Sequence, residues 1–338
     1  MPTDRHCALC GDDLAVVTRE HPGYVVGAGP YAIAHCRGCG SACALTDEDP
    51  RPIYDRIYAD PSRVPGYARY VGYADLVATV ADPLAALAEA EDMYWAVQQV
   101  ARKRGWLERR TLLDVGAGLG YLTAALARAG AQVTGLAVPA SATARATARF
   151  GTSFETGALA QLAASGRRYD GVLLLEMLEH VADPMQVLEH AWRLVAPGGA
   201  LLLTTPNKSA WAPNVWWHTD PPPVHLWWFT EAGVVAAARS LGARVEFVDF
   251  SSYDAGLRGV ERSPRAGAVT VAPVLQADGS ASIAPWTPTT VDRWRIRVVH
   301  AAARLGLSPG RHVWRGTRRP TMAAVFERPA DAATAARP

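Results

Sequence analysis

Three groups of residues in this sequence have the types and spacing to do chemistry. The first is a pair of identical units, Cys7-Ala8-Leu9-Cys10-Gly11 and Cys36-Arg37-Gly38-Cys39-Gly40. In each, two thiolates can bite one metal ion, and the glycine after the second permits a turn whose N–H groups point at sulfur. The gap between the units is a little longer than the usual zinc spacing of about 15–20 residues, which leaves room for a hairpin. Four sulfurs close a tetrahedral zinc site, so Cys7, Cys10, Cys36 and Cys39 are expected to fold the segment and not to catalyse. Disulfides, or a redox or vestigial site, are the alternatives. Cys43 is expected as a small buried residue.

The second group is Glu176-Met177-Leu178-Glu179-His180. Glu176, Glu179 and His180 fall within about one helical turn and can face one cleft. His225, after Pro221-Pro222-Pro223-Val224, can return to the same rim. Two carboxylates and two imidazoles suit Mg²⁺, Mn²⁺ or Zn²⁺. The same residues suit proton transfer, with His180 or His225 as general base near neutral pH. A structural role stays open beside both. The third group is Leu112-Leu113-Asp114-Val115-Gly116-Ala117-Gly118-Leu119-Gly120-Tyr121. Glycine lets a ligand lie on the backbone, and a helix beyond it offers free N–H groups. The pattern Asp-x-Gly-x-Gly-x-Gly differs from the dinucleotide fingerprint G-x-G-x-x-G, whose acid follows roughly 20 residues later.

These groups need a frame. Segments 111–115, 132–136, 169–175, 200–204, 244–250 and 321–326 read as strands, and 121–129, 141–150, 185–195 and 231–241 as helices between them. Such alternation implies an α/β fold with a doubly wound, mostly parallel sheet. Its ligands sit at the carboxyl ends of the strands. Ahead of it, 76–104 reads as a helix with apolar positions at Leu84, Leu87, Met93, Val97 and Val100. In the N-terminal segment, 24–26 and 31–34 read as hairpin strands joined by Gly27-Ala28-Gly29-Pro30. Tyr54, Tyr58, Tyr67, Tyr70 and Tyr73 crowd the stretch between. They either cover the site or pack their rings on the core.

The glycine stretch resembles motif I of class I S-adenosylmethionine (SAM) dependent methyltransferases, and the resemblance runs over about 111–250. Tyr169-Asp170-Gly171-Val172-Leu173-Leu174-Leu175-Glu176 looks like the family's fourth strand. Leu194-Val195-Ala196-Pro197-Gly198-Gly199-Ala200-Leu201-Leu202 looks like its helix, turn and fifth strand. Thr204-Thr205-Pro206-Asn207 resembles the loop lining its acceptor cleft. Two knuckles followed by a tyrosine-rich segment are similar to zinc-knuckle members acting on small molecules. The resemblance implies a Rossmann-like, seven-stranded sheet with a small zinc-knuckle domain at 1–50. It implies a tyrosine-rich helical lid or linker at 51–105, and a methyltransferase-like domain at 106–330 with an insertion at 251–320 and a tail at 331–338. It implies methyl transfer from SAM to a small-molecule acceptor, a secondary metabolite or sugar nucleotide. SAM would lie over Asp114, Gly116, Ala117, Gly118, Gly120 and Tyr121, with Glu176 beside it. Members acting on ubiquinone precursors and on the 3′ ends of small RNAs use a similar Glu-x-x-Glu-His and a downstream His to hold a divalent metal. That implies such a site at Glu176, Glu179, His180 and His225, although other members carry the string without metal.

One departure is plain. Strand two of the family ends in an acid that takes both ribose hydroxyls, and a second acid after a glycine receives the adenine amino group. Ala137 and Ala158 stand in those two cofactor positions here. Losing a charged acceptor costs on the order of 1.5–3 kcal/mol. Either SAM binds through the backbone and other side chains, or the pocket serves a non-methylating cyclisation or elimination, or the fold is borrowed by a non-catalytic partner subunit.

The loop 211–229 carries Trp211, Trp216, Trp217, Trp227 and Trp228 with His218, Asp220 and His225. This is expected as an aromatic rim for a small planar or sugar-like acceptor, or as a lid packed on the domain. Without a basic stripe, nucleic acid is not expected. The insertion is expected to build a subdomain or an oligomer contact, hence a homodimer or a partner protein. A helix over 291–305 would carry Arg293, Arg295, Arg297 and Arg304 on a solvated face, and the tail is expected to be disordered. The 338 residues, 49% hydrophobic and 20% charged, suit about two globular domains. A net charge of +2 gives no argument for nucleic acid or a membrane surface. No apolar run approaches the roughly 20 residues that span a bilayer. The first residues lack the apolar core of a signal peptide, so a cytoplasmic protein is expected.

Overall fold

The computed structural model describes residues 6–138, 140–151, 153–211, 220–255, 272–282 and 319–330. Its centre is a seven-stranded sheet. The strands are β4 (Thr111–Val115), β5 (Gln132–Ala137), β6 (Ser153–Thr156), β7 (Tyr169–Leu175), β8 (Val195–Pro206), β10 (Arg244–Phe247) and β11 (Thr321–Glu327), in the order β10-β11-β8-β7-β4-β5-β6. From β8 to β6 the neighbours run parallel, and β11 lies antiparallel between β8 and β10. Leu112, Leu113, Val172, Leu173, Leu174, Leu201, Leu202 and Leu203 are fully buried, because helices cover both faces of the parallel strands. Side chains alternate across the sheet. Leu113, Val172, Leu174, Leu201 and Leu203 enter one core layer. Leu112, Leu173 and Leu202 enter the other. The helices between the strands are α5 (Tyr121–Arg128), α6 (Ala140–Phe150), α7 (Leu159–Ala164), α8 (Pro184–Leu194) and α9 (Glu231–Ser240), with a short α10 (Ser251–Ala255) after β10. The expected α/β, doubly wound sheet is what the chain builds. The chain winds outward in both directions from β4, which pairs with β5 on one side and β7 on the other.

Ahead of the sheet come α1 (Arg51–Ala59), α2 (Ala68–Thr79), α3 (Pro83–Ala90) and α4 (Asp92–Lys103). The helix expected over 76–104 is therefore three helices. Asp82 and Pro83 start a new one: the Asp82 carboxylate accepts from the Ala85 N–H at 3.0 Å, and Pro83 fits the first turn, which has no use for its missing N–H. Glu91 is extended and forms the second joint. Strand β6 was not signalled by an apolar run, because it is a partly exposed edge of four residues.

A second sheet holds β1 (Leu14–His21), β2 (Tyr31–Cys36), β3 (Ala42–Leu45) and β9 (Trp227–Trp228) in that order, all antiparallel. The first hairpin strand is thus 14–21 and not 24–26. Val16, Val17 and Thr18 favour extended backbone there, and Arg19 and Glu20 blunt the exposed edge. Val25 instead bridges to Leu275. Trp227 and Trp228 do not rim a pocket. They pair with Cys43 and Ala42 of β3 and are buried. Trp211 is half-buried. Trp216, Trp217 and His218 lie outside the described residues, as do the helix expected over 291–305, the tail 331–338 and most of the insertion.

Candidate active site

The glycine turn leaves the carboxyl end of β4 and enters α5. Gly116, Gly118 and Gly120 have φ of 76°, 53° and 80°. At Gly120 glycine is obligatory on two counts: the left-handed backbone, and a Cβ that would lie 2.6 Å from Ala146 Cβ and 2.7 Å from Phe154 Cζ. At Gly118 the nearest atom to such a Cβ is Gly116 O at 3.8 Å, so that face of the turn is open. The N–H groups of Gly116 and Ala117 both bond Leu136 O, at 2.9 and 3.1 Å, which pins the turn to the tip of β5. Asp114 is buried, and Thr123 Oγ1 donates to its carboxylate at 2.6 Å. Burial pushes the Asp114 carboxyl up to about 6, against the pull of that hydrogen bond. This hydrogen bond ties β4 to α5. Tyr121, one residue past the turn, sets its hydroxyl 2.5 Å from Tyr94 OH. Ala137 ends β5 and is buried, Val138 beyond it is 74% exposed, and Ala158 lies exposed ahead of α7.

Across β4 from this tip, β7 ends at the acid–imidazole group. Glu176 has a φ of 45°, and its N–H donates to Thr204 O at 3.0 Å. Leu178–His180 then form one tight turn. Glu179 is buried, and its Oε2 accepts from Thr205 Oγ1 at 3.0 Å. Its Oε1 has no hydrogen-bond partner and lies 3.9 Å from His180 Nε2. His180 Nδ1 is 2.9 Å from Val224 O. A carbonyl can only accept, so Nδ1 carries the proton and Nε2 turns its lone pair toward Glu179. Tyr54 OH, from α1, is 2.8 Å from the same Nδ1. The His225 ring stacks edge-on at 4.6 Å from His180. Ligand atoms of Glu179, His180 and His225 all lie within 4.8 Å of one another. Three of the four residues expected at this site therefore converge, and Glu176 stands outside that triplet. Asp220, with φ 50°, comes in its place: its Oδ2 is 3.9 Å from His225 Nε2.

Burial dominates the electrostatics. It pushes Glu176 up to about 7, with the charges of Asp92 and Glu91 adding, and pushes Glu179 well up, with Glu176 adding. It lowers His180 to about 4 and His225 well below the ordinary range. Both imidazoles are neutral at physiological pH, the form that ligates metal. Glu176 Oε1 and Glu179 Oε1 are buried with no hydrogen-bond partner, and Glu179 is the one whose ligand atom lies with those of His180 and His225, a set that could hold a cation. The tyrosine-rich segment reaches this group through Tyr54. Arg69 pairs with Glu91 at 2.9 Å, Tyr73 OH donates to Glu91 at 2.7 Å, and the Arg69 guanidinium covers the Tyr70 ring at 4.6 Å. The part played by Arg69, Glu91 and Asp92 near Glu176 gave no sequence signal, because they come from α2 and the start of α4. Thr205 was legible only as part of a cleft-lining loop.

The four knuckle cysteines also come together, with all sulfurs within 4.8 Å. Cys7 Sγ is 3.8 Å from Cys39 Sγ, and Cys10 Sγ is 3.3 Å from Cys36 Sγ. A tetrahedron with Zn–S bonds of about 2.3 Å has edges of about 3.8 Å, so the donor set fits zinc. None of the five cysteines is in a disulfide. Gly11 and Gly40 have φ of 79° and 75°, and the Cys39 N–H points at Cys36 Sγ at 3.4 Å. Cys43 is buried on β3 outside the cluster, and burial raises its thiol to about 12.

A family profile described as a methyltransferase domain matches residues 69–248. The ubiquinone biosynthesis O-methyltransferases of Alkalilimnicola ehrlichii and Vibrio cholerae are 40% and 38% identical to this chain over 116 residues each, 32% of this chain and 47% of theirs. The chain spans about half the length of the curated relatives it matches. Among solved structures, a SAM dependent methyltransferase from Archaeoglobus fulgidus superposes with a TM-score of 0.43 at 15% identity, over 70% of this chain and 94% of that one. With the profile covering more than half of the 338 residues, and with a glycine turn opening at the switch point of a doubly wound sheet, the chain belongs to the class I methyltransferase-domain family.

Proposed function

We propose that this chain transfers a methyl group from SAM to an oxygen of a small-molecule acceptor. The observation that carries the proposal is the placement of the open glycine turn, Gly116 to Gly120, beside the Glu176–Glu179–His180–His225 group, on adjacent strand ends. The relatives named as O-methyltransferases favour oxygen as the atom that receives the methyl group. The acceptor, a secondary metabolite or a sugar derivative, would enter below Tyr54 and Asp220. SAM supplies an electrophilic methyl on a sulfonium, and proximity and orientation account for much of the acceleration of such an in-line displacement. Glu179, His180 and His225 would hold a divalent cation, whose chemistry is to polarise a bound hydroxyl. Glu176, with its carboxyl held near neutrality by burial, is the group in the cleft whose proton affinity suits taking the hydroxyl proton at pH 7. His180, whose Nε2 lies 3.9 Å from Glu179 Oε1, would serve as a ligand. The four cysteines would hold one structural zinc. On this reading 1–50 is a zinc module, 51–105 a lid and 106–330 the catalytic unit.

Ala137 favours a second reading, a related enzyme that binds SAM poorly and does not methylate. Calorimetric titration with SAM separates the two. A saturable heat at micromolar to low-millimolar SAM supports methyl transfer, and no heat together with no thermal shift at millimolar SAM overturns it.

A further inference from the structure

We propose that the nucleoside end of this cleft recognises its ligand by shape and apolar contact and is indifferent to the ribose diol. It would then take S-adenosyl nucleosides altered at the 2′ or 3′ position as readily as the parent compound. This rests on the methyltransferase reading and deepens it to the specificity of the cofactor site.

The location follows from the topology. Ligands of doubly wound sheets lie outside the strand ends at the switch point, here β4, and the nucleoside lies toward the next strand. Leu136 O, through its two bonds from the glycine turn, fixes the tip of β5 there. Dinucleotide sites on doubly wound sheets carry a carboxylate about 20 residues past the first glycine to accept a ribose hydroxyl. That place is the tip of β5, where the chain offers the methyl of Ala137 and then the 74% exposed side chain of Val138.

The charged groups nearby are paired elsewhere, and the nearest hydroxyl is left only as a neutral acceptor. Thr156 is the β6 residue in register with Ala137. Its hydroxyl lies 2.6 Å from Thr143 Oγ1, which itself donates to Ala140 O at 2.9 Å, so the Thr156 proton is used inside the protein. The Gly157 N–H donates to Ala137 O at 3.1 Å. Asp114 is turned inward on Thr123, and Glu155 is paired with Arg167 at 2.7 Å. Among the described residues, the tip of β5 thus presents an apolar patch with no carboxylate aimed across it. A ribose hydroxyl bound there gives up water and gains no charged acceptor. An analogue lacking the hydroxyl gives up nothing. Strong rejection of a deoxy analogue arises only where the protein leaves a buried polar group unpaired against it.

The test is direct binding by calorimetry of S-adenosylhomocysteine and its 2′-deoxy and 3′-deoxy analogues to the full chain. The expected result is three dissociation constants within about threefold of one another, and a preference of about tenfold or more for the parent compound in Ala137→Asp. A larger than threefold preference in the wild-type chain overturns the inference. So does Thr156→Val, if it weakens the parent compound and spares the deoxy analogues, since Thr156 would then be the ribose acceptor. The wild-type ratio decides the matter even where Ala137→Asp does not fold. Failure of all three compounds to bind overturns the methyltransferase reading beneath, whereas binding with discrimination overturns this inference alone.

Discussion

The two acids that bracket β4 and β7 behave differently because of what reaches them. Asp114 sits in the fold's interior with one hydroxyl for company, and its folded-state proton affinity is raised from 3.8 to about 6. Between those values the native state holds the proton more tightly than the unfolded chain, so the carboxyl lowers stability as pH rises through that window. Asp114→Asn keeps an acceptor for Thr123 and removes the titration. Relative to the wild-type chain, the variant should gain up to about 3 kcal/mol between pH 4 and pH 7. Urea unfolding of both proteins at the two pH values checks this, and parallel changes in the two would refute it. Glu179 is placed to be a charged ligand, with Thr205 on one oxygen and the imidazoles near the other. Glu179→Gln should weaken Mn²⁺ binding at this cluster by at least about tenfold and leave SAM affinity unchanged. Electron paramagnetic resonance of bound Mn²⁺ reads the first, calorimetry the second. At this scale the sequence displayed the identities and hid the partners. Asp114 and Glu179 stand out in any reading, but Thr123 and Thr205 become their partners only once α5 and β8 are in place.

Among the elements, those with strong apolar runs or caps were legible nearly to the residue. Strands β4, β7 and β11 and helices α5, α8 and α9 match their expected spans closely. The errors fell where local chemistry is two-sided. Asp82-Pro83 reads equally as an interruption within one helix or as the start of another, and the capping hydrogen bond decides. Residues 24–26 are β-prone like a strand, yet their backbone is taken up by Pro222 and Leu275. The joint between the two sheets was invisible because it spans nearly 190 residues. Thr230 caps α9 through the Gly233 N–H, donates to Cys39 O at 2.6 Å, and meets Ser41 Oγ at 3.0 Å. Thr230→Val removes all three contacts at nearly constant volume. It should destabilise the chain by about 1–3 kcal/mol in urea unfolding, more than a lone cap would.

For the whole molecule, the knuckle cluster and the acid–imidazole cluster are linked through a short path. The Ala44 N–H bonds Leu226 O, the Leu226 N–H bonds Glu179 O, and His225 lies next to Leu226. Stripping the cysteine site with a strong chelator should release one zinc per chain, lower the melting temperature, and also weaken Mn²⁺ binding at Glu179, His180 and His225. Metal analysis, thermal melting and Mn²⁺ titration on the stripped protein check the three outcomes, and an unchanged Mn²⁺ affinity would break the proposed link. The strand β9 carries one more consequence, in time. The cysteine segment is made long before β9, but its sheet is completed by Trp227 and Trp228. At ribosomal rates of about 5–20 residues per second, the early segment emerges on the order of ten to forty seconds before its last strand exists. During that interval β3 lacks its β9 neighbour, so the newborn chain carries an open strand edge beside the cysteine cluster until residues 227 and 228 emerge.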